Sequence, residues 1–307
     1  MRFRLLLLPL LLLPVFRLSA QTPVDFDGFE DNDDTGWVHM DPIGTVMGSS
    51  FASIKAESGA YHISCPPSPD PGSIGPARAG AYRPDRVLTD FVIVVDLAAW
   101  DQSLDQALGI LARIQPDPGP GALSGYSVNY QTRDHDIEIN RLDNEQPVSL
   151  VRLPLELRAG EPCRLVFTGT GASLTASVFS HQNPLLPLVT LSAEDDTYAS
   201  GDSGIFIFQA DTPAAGAADG TFDSFSASAP SVPALSISSG TGGKTPVQLE
   251  WPRSASHWHL QRSSDLETWA DVTEGGLEND QVIQWNPPAD APAKGYYRLQ
   301  EGWAKPR

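Results

Sequence analysis

The hydrophobic positions of this chain fall into short runs, few of which follow a helical period. The richest stretch is 89–114, TDFVIVVDLAAWDQSLDQALGILARI. Residues 91–97 are apolar but for Asp96 and largely β-branched, 108–114 form a second apolar run, and a polar hinge at 101–106 separates them. Runs of this kind are strands covered on both faces. The hinge is too short for a helical crossover, so the spacing predicts an antiparallel pair in the middle of a sandwich.

Alternation extends the pattern on both sides. AYHISC at 60–65 alternates, and GYSVNYQT at 125–132 places Tyr126, Val128 and Tyr130 on one face. DIEINRL at 136–142 sets Ile137 and Ile139 against Asp136, Glu138 and Asn140. Further strands are predicted at 147–153, 185–192, 203–209 and 221–227, with a hairpin of 163–168 and 172–180 across Gly169-Thr170-Gly171. About a dozen short strands without an amphipathic helix define an all-β chain built on one large antiparallel sandwich.

The texture changes at a Pro/Ser linker, 230–234, so the large domain is read as 21–229 and a second one as 235–307. The second segment holds Trp251, Trp258, Trp269, Trp285 and Trp303, five of the seven tryptophans. Strand candidates at 234–238, 247–251, 258–262, 269–272, 281–285 and 296–300 make it a smaller β-sandwich. Its tryptophans read as core packing, the ordinary role of large aromatics, or as a platform for sugar rings.

Charge and the first residues bear on address. MRFRLLLLPLLLLPVFRLSA has a basic start, an apolar run too short to span a bilayer, and a small residue at a cut point. Residues 1–20 therefore read as a signal peptide, and the product as secreted, periplasmic or held at the cell surface. The net charge is −18, and losing Arg2, Arg4 and Arg17 leaves −21. That balance disfavours nucleic acid and anionic membrane surfaces, and no membrane insertion is expected. In an exported protein, Cys65 and Cys163 are expected to form a disulfide. It would close a loop of about a hundred residues worth roughly 4–5 kcal/mol, the alternative being two buried thiols. No zinc-type Cys/His spacing is present.

The large domain resembles the concanavalin A-like lectin/glucanase jelly rolls, including the laminin-G-like domains. The resemblance rests on FDGFEDNDDTGW, TDFVIVVDL, GILARI, GYSVNY, CRLVFTGTGASLTASVF, SGDSGIFIF and TFDSFSAS, and covers about residues 22–229. The C-terminal segments VQLEW, HLQRSSDLETW and YYRLQ resemble the fibronectin type III-like modules of exported bacterial proteins. A superfold of this kind hosts lectins, glycosidases and adhesion modules, so function rests on the site.

Three constellations follow. Retaining glucanases of the resembled fold carry Glu-x-Asp-x-Glu on a strand; here Asp134, Asp136 and Glu138 stand in that spacing, with the shorter Asp first. Asp25, Asp27, Glu30 and Asp223 lie on segments that terminal strands of a jelly roll bring together, and carboxylates suit a structural calcium. No other cofactor is called for. Tyr82, Trp100, Tyr126, Tyr130 and His135 form a candidate face on which sugar rings stack. The leading expectation is a non-catalytic protein that binds a glycan or extracellular polymer. A β-glucan hydrolase and a structural or adhesive surface protein are the alternatives.

Overall fold

The computed structural model describes residues 25–210, 216–238, 247–279, 281–288 and 295–302. The segment read as a signal peptide and Trp303 lie outside the described residues. Strand makes up 55% of the described residues, against 5% helix. In chain order the first strands are β1 (Asp25–Asp27), β2 (Val38–Met40), β3 (Ser53–Glu57), β4 (Ala60–Cys65), β5 (Arg78–Leu88), β6 (Phe91–Trp100), β7 (Gln106–Ile114) and β8 (Gly125–Gln131). They continue as β9 (Asp136–Asp143), β10 (Gln146–Pro154), β11 (Cys163–Thr170), β12 (Ser173–Ser180), β13 (Val189–Glu194), β14 (Gly201–Gln209) and β15 (Ala218–Ser228). Two short helices interrupt them, α1 (Pro42–Met47) and α2 (Pro71–Ile74), in stretches whose composition suggests loops. Asp41 makes α1 local: its carboxylate accepts from Gly44 N at 2.8 Å, and Pro42 opens the helix.

Two antiparallel sheets result. One runs β13-β12-β11-β6-β15-β4-β3, with β1 on β15; the other runs β10-β9-β8-β7-β14-β5-β2. Between them lies one apolar core, with Phe91, Ile93 and Val95 of β6 facing Tyr126, Val128 and Tyr130 of β8.

The predicted β6–β7 pair does not form. β6 lies between β11 and β15 in one sheet, and β7 between β8 and β14 in the other. The polar hinge carries the chain across the sandwich instead. Both strands read as doubly covered because each is central in its own sheet. Val92 and Val94 are buried on the outer face of β6, and Leu111 and Ile114 on that of β7.

The expected disulfide is also corrected: Cys65 and Cys163 are free, buried thiols. Cys65 ends β4 and Cys163 begins β11, three strand steps away across β15 and β6, or about 14 Å. A bridge needs Cα atoms within about 7 Å. Burial pushes the Cys65 thiol up to about 11 and raises that of Cys163 as well.

The remaining strands are β16 (Ser236–Ser238), β17 (Gln248–Pro252), β18 (Trp258–Ser263), β19 (Ala270–Asp271), β20 (Gly276–Glu278), β21 (Val282–Trp285) and β22 (Tyr296–Glu301). They form a sheet β16-β17-β21-β20 and a sheet β19-β18-β22. Leu249, Trp251, Leu260, Ile283 and Trp285 are buried between them, together with Leu185 from the β12–β13 connection. Trp251 and Trp285 are thus packing residues, and Trp269 lies under the Arg298 guanidinium at 4.2 Å.

The small sandwich sits on the outer face of β6. Arg253 pairs with Asp96 of β6, and Arg164 of β11 pairs with Glu278 of β20. His181 Nε2 stands 3.2 Å from Asp96. Asp96, Arg164 and Arg253 are all buried.

Candidate functional site

The β8–β9 hairpin organises the site. Its inward side chains, Tyr126, Val128, Tyr130, Ile137 and Ile139, belong to the core. Strand alternation therefore turns Ser127, Asn129, Gln131, Asp136, Glu138 and Asn140 away from the core, onto the outer face of the seven-stranded sheet. β10 adds Arg152, directly opposite Glu138, and Ser149, opposite Asn140.

These groups form one hydrogen-bonded row. Gln131 Nε2 and Asn129 Nδ2 donate to Glu138 Oε1 at 2.7 and 3.3 Å. Asn140 Nδ2 donates to Asn129 Oδ1 at 3.0 Å, and Ser127 Oγ donates to the same oxygen at 3.2 Å. Arg152 Nε lies 3.3 Å from Glu138 Oε2 and 3.2 Å from Asp136 Oδ2. Asp136 Oδ1 is buried and has no hydrogen-bond partner.

The two carboxyls are driven apart electrostatically. Burial pushes Glu138 up, but the amide donors of Gln131 and Asn129 and the Arg152 charge together bring it below the ordinary glutamate value. Burial also pushes Asp136 up, and the neighbouring charges of Glu138 and Asp134 keep it raised despite Arg152. Asp134 does not share the strand; it lies in the turn before β9, where Arg133 Nε donates to it at 3.0 Å. Arg152 Nη1 reaches Asp134 at 3.8 Å. One guanidinium thus faces all three carboxylates of the Asp-x-Asp-x-Glu spacing.

The aromatic candidates do not gather on one exposed face. Tyr126 and Tyr130 are 0% exposed and Trp100 6%, so these three rings pack inside and present no face to a sugar. Tyr126 Oη donates to Asp195 at 2.6 Å, and Trp100 Nε1 to Gln102 at 2.8 Å. Tyr82 is half-buried on the outer face of β5, beside Met40 and Leu111. His135 is exposed in the turn, 3.3 Å from Tyr130 Oη. Asn129, Gln131, Ser149 and Arg152 are not among the residues that the sequence singles out. The signal for Asn129 and Gln131 is nevertheless there, because polar residues at 127, 129 and 131 alternate with the apolar face.

The acidic residues read as a calcium site do not fit one. Asp25 spends both oxygens on the Arg83 guanidinium, at 3.0 and 3.1 Å. Asp27 accepts from Trp37 Nε1 at 2.8 Å and from Phe29 N at 3.0 Å. Glu30 is exposed, and Asp223 lies opposite Asp96 in the sheet. Among the described residues no three His, Cys, Asp or Glu side chains converge as a metal site.

No protein-family model matches the chain, and no curated protein matches it in sequence. Solved structures do. A prokaryotic β-1,3-1,4-glucanase (lichenase) derived from a mouse hindgut metagenome matches at 14% identity and TM-score 0.50, over 68% of this chain and 100% of that one. The carbohydrate-binding module CBM66 from Bacillus subtilis matches at 11% identity and TM-score 0.47, over 64% and 96%. Lectin II from Ulex europaeus matches at 12% identity and TM-score 0.44, over 67% and 97%. The glucanase, at TM-score 0.50, has the jelly-roll sandwich that this chain shows, and at 14% identity the fold is all that the likeness carries.

Proposed function

We propose that this is an exported, non-catalytic protein that holds a neutral glycan on the outer face of its seven-stranded sheet. The observation that carries this reading is the row Asn129, Gln131, Glu138, Asn140 and Arg152, in which Gln131 and Arg152 reach solvent and the buried Asn129, Glu138 and Asn140 hold them in place, with the unpartnered Asp136 Oδ1 beside it. Sugar hydroxyls both donate and accept, and a preformed row of amide and carboxylate groups matches that chemistry. A jelly-roll sandwich is compatible with such a site, though the fold by itself selects no function. Export rests on residues 1–20, and the acidic chain disfavours nucleic acid as a partner. Among the described residues no helix is long and apolar enough to cross a membrane. We also read the small sandwich as a fibronectin type III-like module. Its sheet order β16-β17-β21-β20 against β19-β18-β22 supports an immunoglobulin-like arrangement.

A second reading, hydrolysis of β-glucan through Asp134, Asp136 and Glu138, is favoured by the opposed displacements of Asp136 and Glu138. Against it, Asp134 is off the strand and Arg152 lies between the carboxylates. Affinity electrophoresis against mixed-linkage β-glucan, laminarin and a galactan separates the two. Binding reads as retardation by at least one polysaccharide, lost in Gln131→Ala and Arg152→Ala without release of reducing sugar. No retardation by any of them counts against glycan binding on this face. Reducing-sugar release that vanishes in Glu138→Gln overturns the non-catalytic reading.

A further inference from the structure

The other sheet carries a cleft whose lining includes Val151 and Leu153 of β10 but none of the Glu138–Arg152 row. It measures about 430 Å³, within the range of small-ligand sites. It lies over the outer faces of β6, β11, β12 and β13, and ends against Pro230 of the linker and His257, Glu301 and Gly302 of the small sandwich. The floor is made of two neighbouring rows across four strands. One is Val92, Thr168, Thr175 and Ser192; the other is Val166, Ser177 and Thr190. Valines thus occupy the end nearest β6, and hydroxyls the rest.

The hydroxyls meet in cross-strand pairs. Thr175 Oγ1 and Ser192 Oγ are 3.2 Å apart, and Ser177 Oγ and Thr190 Oγ1 are 2.9 Å apart. One hydrogen bond leaves each pair with open lone pairs and a free proton. On the opposite wall, neither ring nitrogen of His257 has a partner. Both nitrogens are buried, and burial drives this imidazole down to about 4, so at neutral pH it holds one unused donor and one unused acceptor. Among the described residues no Lys or Arg lines the cleft, and Glu301 borders it, so a phosphate or carboxylate has no counter-charge there. What suits the lining is a neutral molecule that presents hydroxyls along one side and C–H groups to Val92 and Val166.

The walls are held at a fixed spacing. Val92 and Val94 share their face of β6 with Asp96, whose pair with Arg253 fastens the small sandwich to the same strand. The cleft is therefore a built space rather than a gap between loosely tethered modules.

We propose that this inter-sandwich cleft is a second binding site, taking a short neutral saccharide independently of the Glu138–Arg152 face. The test titrates the isotope-labelled full chain with maltose, cellobiose and laminaribiose while amide and imidazole resonances are followed. Expected are shifts on β11, β12 and β13 and in the His257 ring with at least one disaccharide, retained in Arg152→Ala. That variant separates this site from the other face, so either proposal can fail alone. Thr175→Val with Thr190→Val keeps shape and strand propensity and should weaken binding about tenfold. His257→Phe tests the opposite wall and should weaken it as well. Absence of these shifts at millimolar sugar, shifts confined to β8 and β9, or native affinity in the folded valine variant would each overturn the proposal.

Discussion

Arg113 interrupts the apolar run of β7, yet its side chain is among the most buried in the molecule, at 2% exposure. Its guanidinium donates to Thr89 O at 3.0 Å, and to Tyr198 O and Gly171 O at 2.9 Å each. The rings of Phe91 and Tyr126 lie 5.3 and 5.8 Å from it. One cation therefore satisfies carbonyls from three separate connections. Arg113→Met keeps bulk but strands those carbonyls, each at a cost of about 1–3 kcal/mol. The expected loss is about 3 kcal/mol or more, read from the urea midpoint at unchanged slope. In the sequence, GILARI marks the strand but gives no sign that its arginine points inward. The same limit affects Tyr126 and Tyr130. Alternation shows that they share a face, but a single strand cannot say which face meets water.

At the scale of elements, strand positions are legible because period-2 alternation is a local signal. AYHISC coincides with β4, and β9 and β11 begin where the alternation predicts. Partners are not legible, since pairing depends on topology; β6 and β7 share a stretch of sequence and lie in different sheets. Leu185 shows the same limit. Its apolar run predicts a strand of the large sandwich, but it precedes β13 and fills the core of the small one. A Cβ on Gly276 would lie 2.4 Å from Leu185 Cγ, so glycine makes room for it. Leu185→Ala should destabilise the small sandwich by about 2–5 kcal/mol. Thermal unfolding followed by tryptophan fluorescence is weighted toward this module, because Trp251, Trp258, Trp269 and Trp285 lie in it against Trp37 and Trp100 in the large one. An unchanged transition there would show that Leu185 is peripheral.

For the whole molecule, the governing feature is the buried charge cluster between the sandwiches. Burial pushes the Asp96 carboxyl up, yet His181, Arg253 and Arg164 outweigh it and leave the group below its ordinary value. Its contribution to stability is present above the ordinary aspartate range and is lost as pH falls through the folded value. Asp96→Asn leaves Arg253 buried without its anion, while Arg164 keeps Glu278, at a cost of about 3–5 kcal/mol. The expected readout is a thermal transition that splits in two as the modules uncouple. Asp96→Leu combined with Arg253→Met should recover much of that loss, because an apolar pair needs no desolvation. If the double variant is as unstable as the sum of the single ones, the pair is not coupled. None of this is legible in the sequence, because the cluster joins residues far apart in the chain. The outer-face row is half legible, since Asp136 and Glu138 stand out and Arg152 does not.

β15 is the last strand of the large sandwich, yet it lies in the interior of its sheet, between β6 and β4. That position sets an order of assembly. Until residues 218–228 arrive, β6 and β4 each carry an unpaired edge, and such edges template pairing with other chains. Closure then requires contacts of long sequence separation, which places folding on the order of milliseconds to seconds rather than microseconds. A chain released before β15 is made would be prone to aggregate, whereas one delivered whole can close its sheet in a single late step.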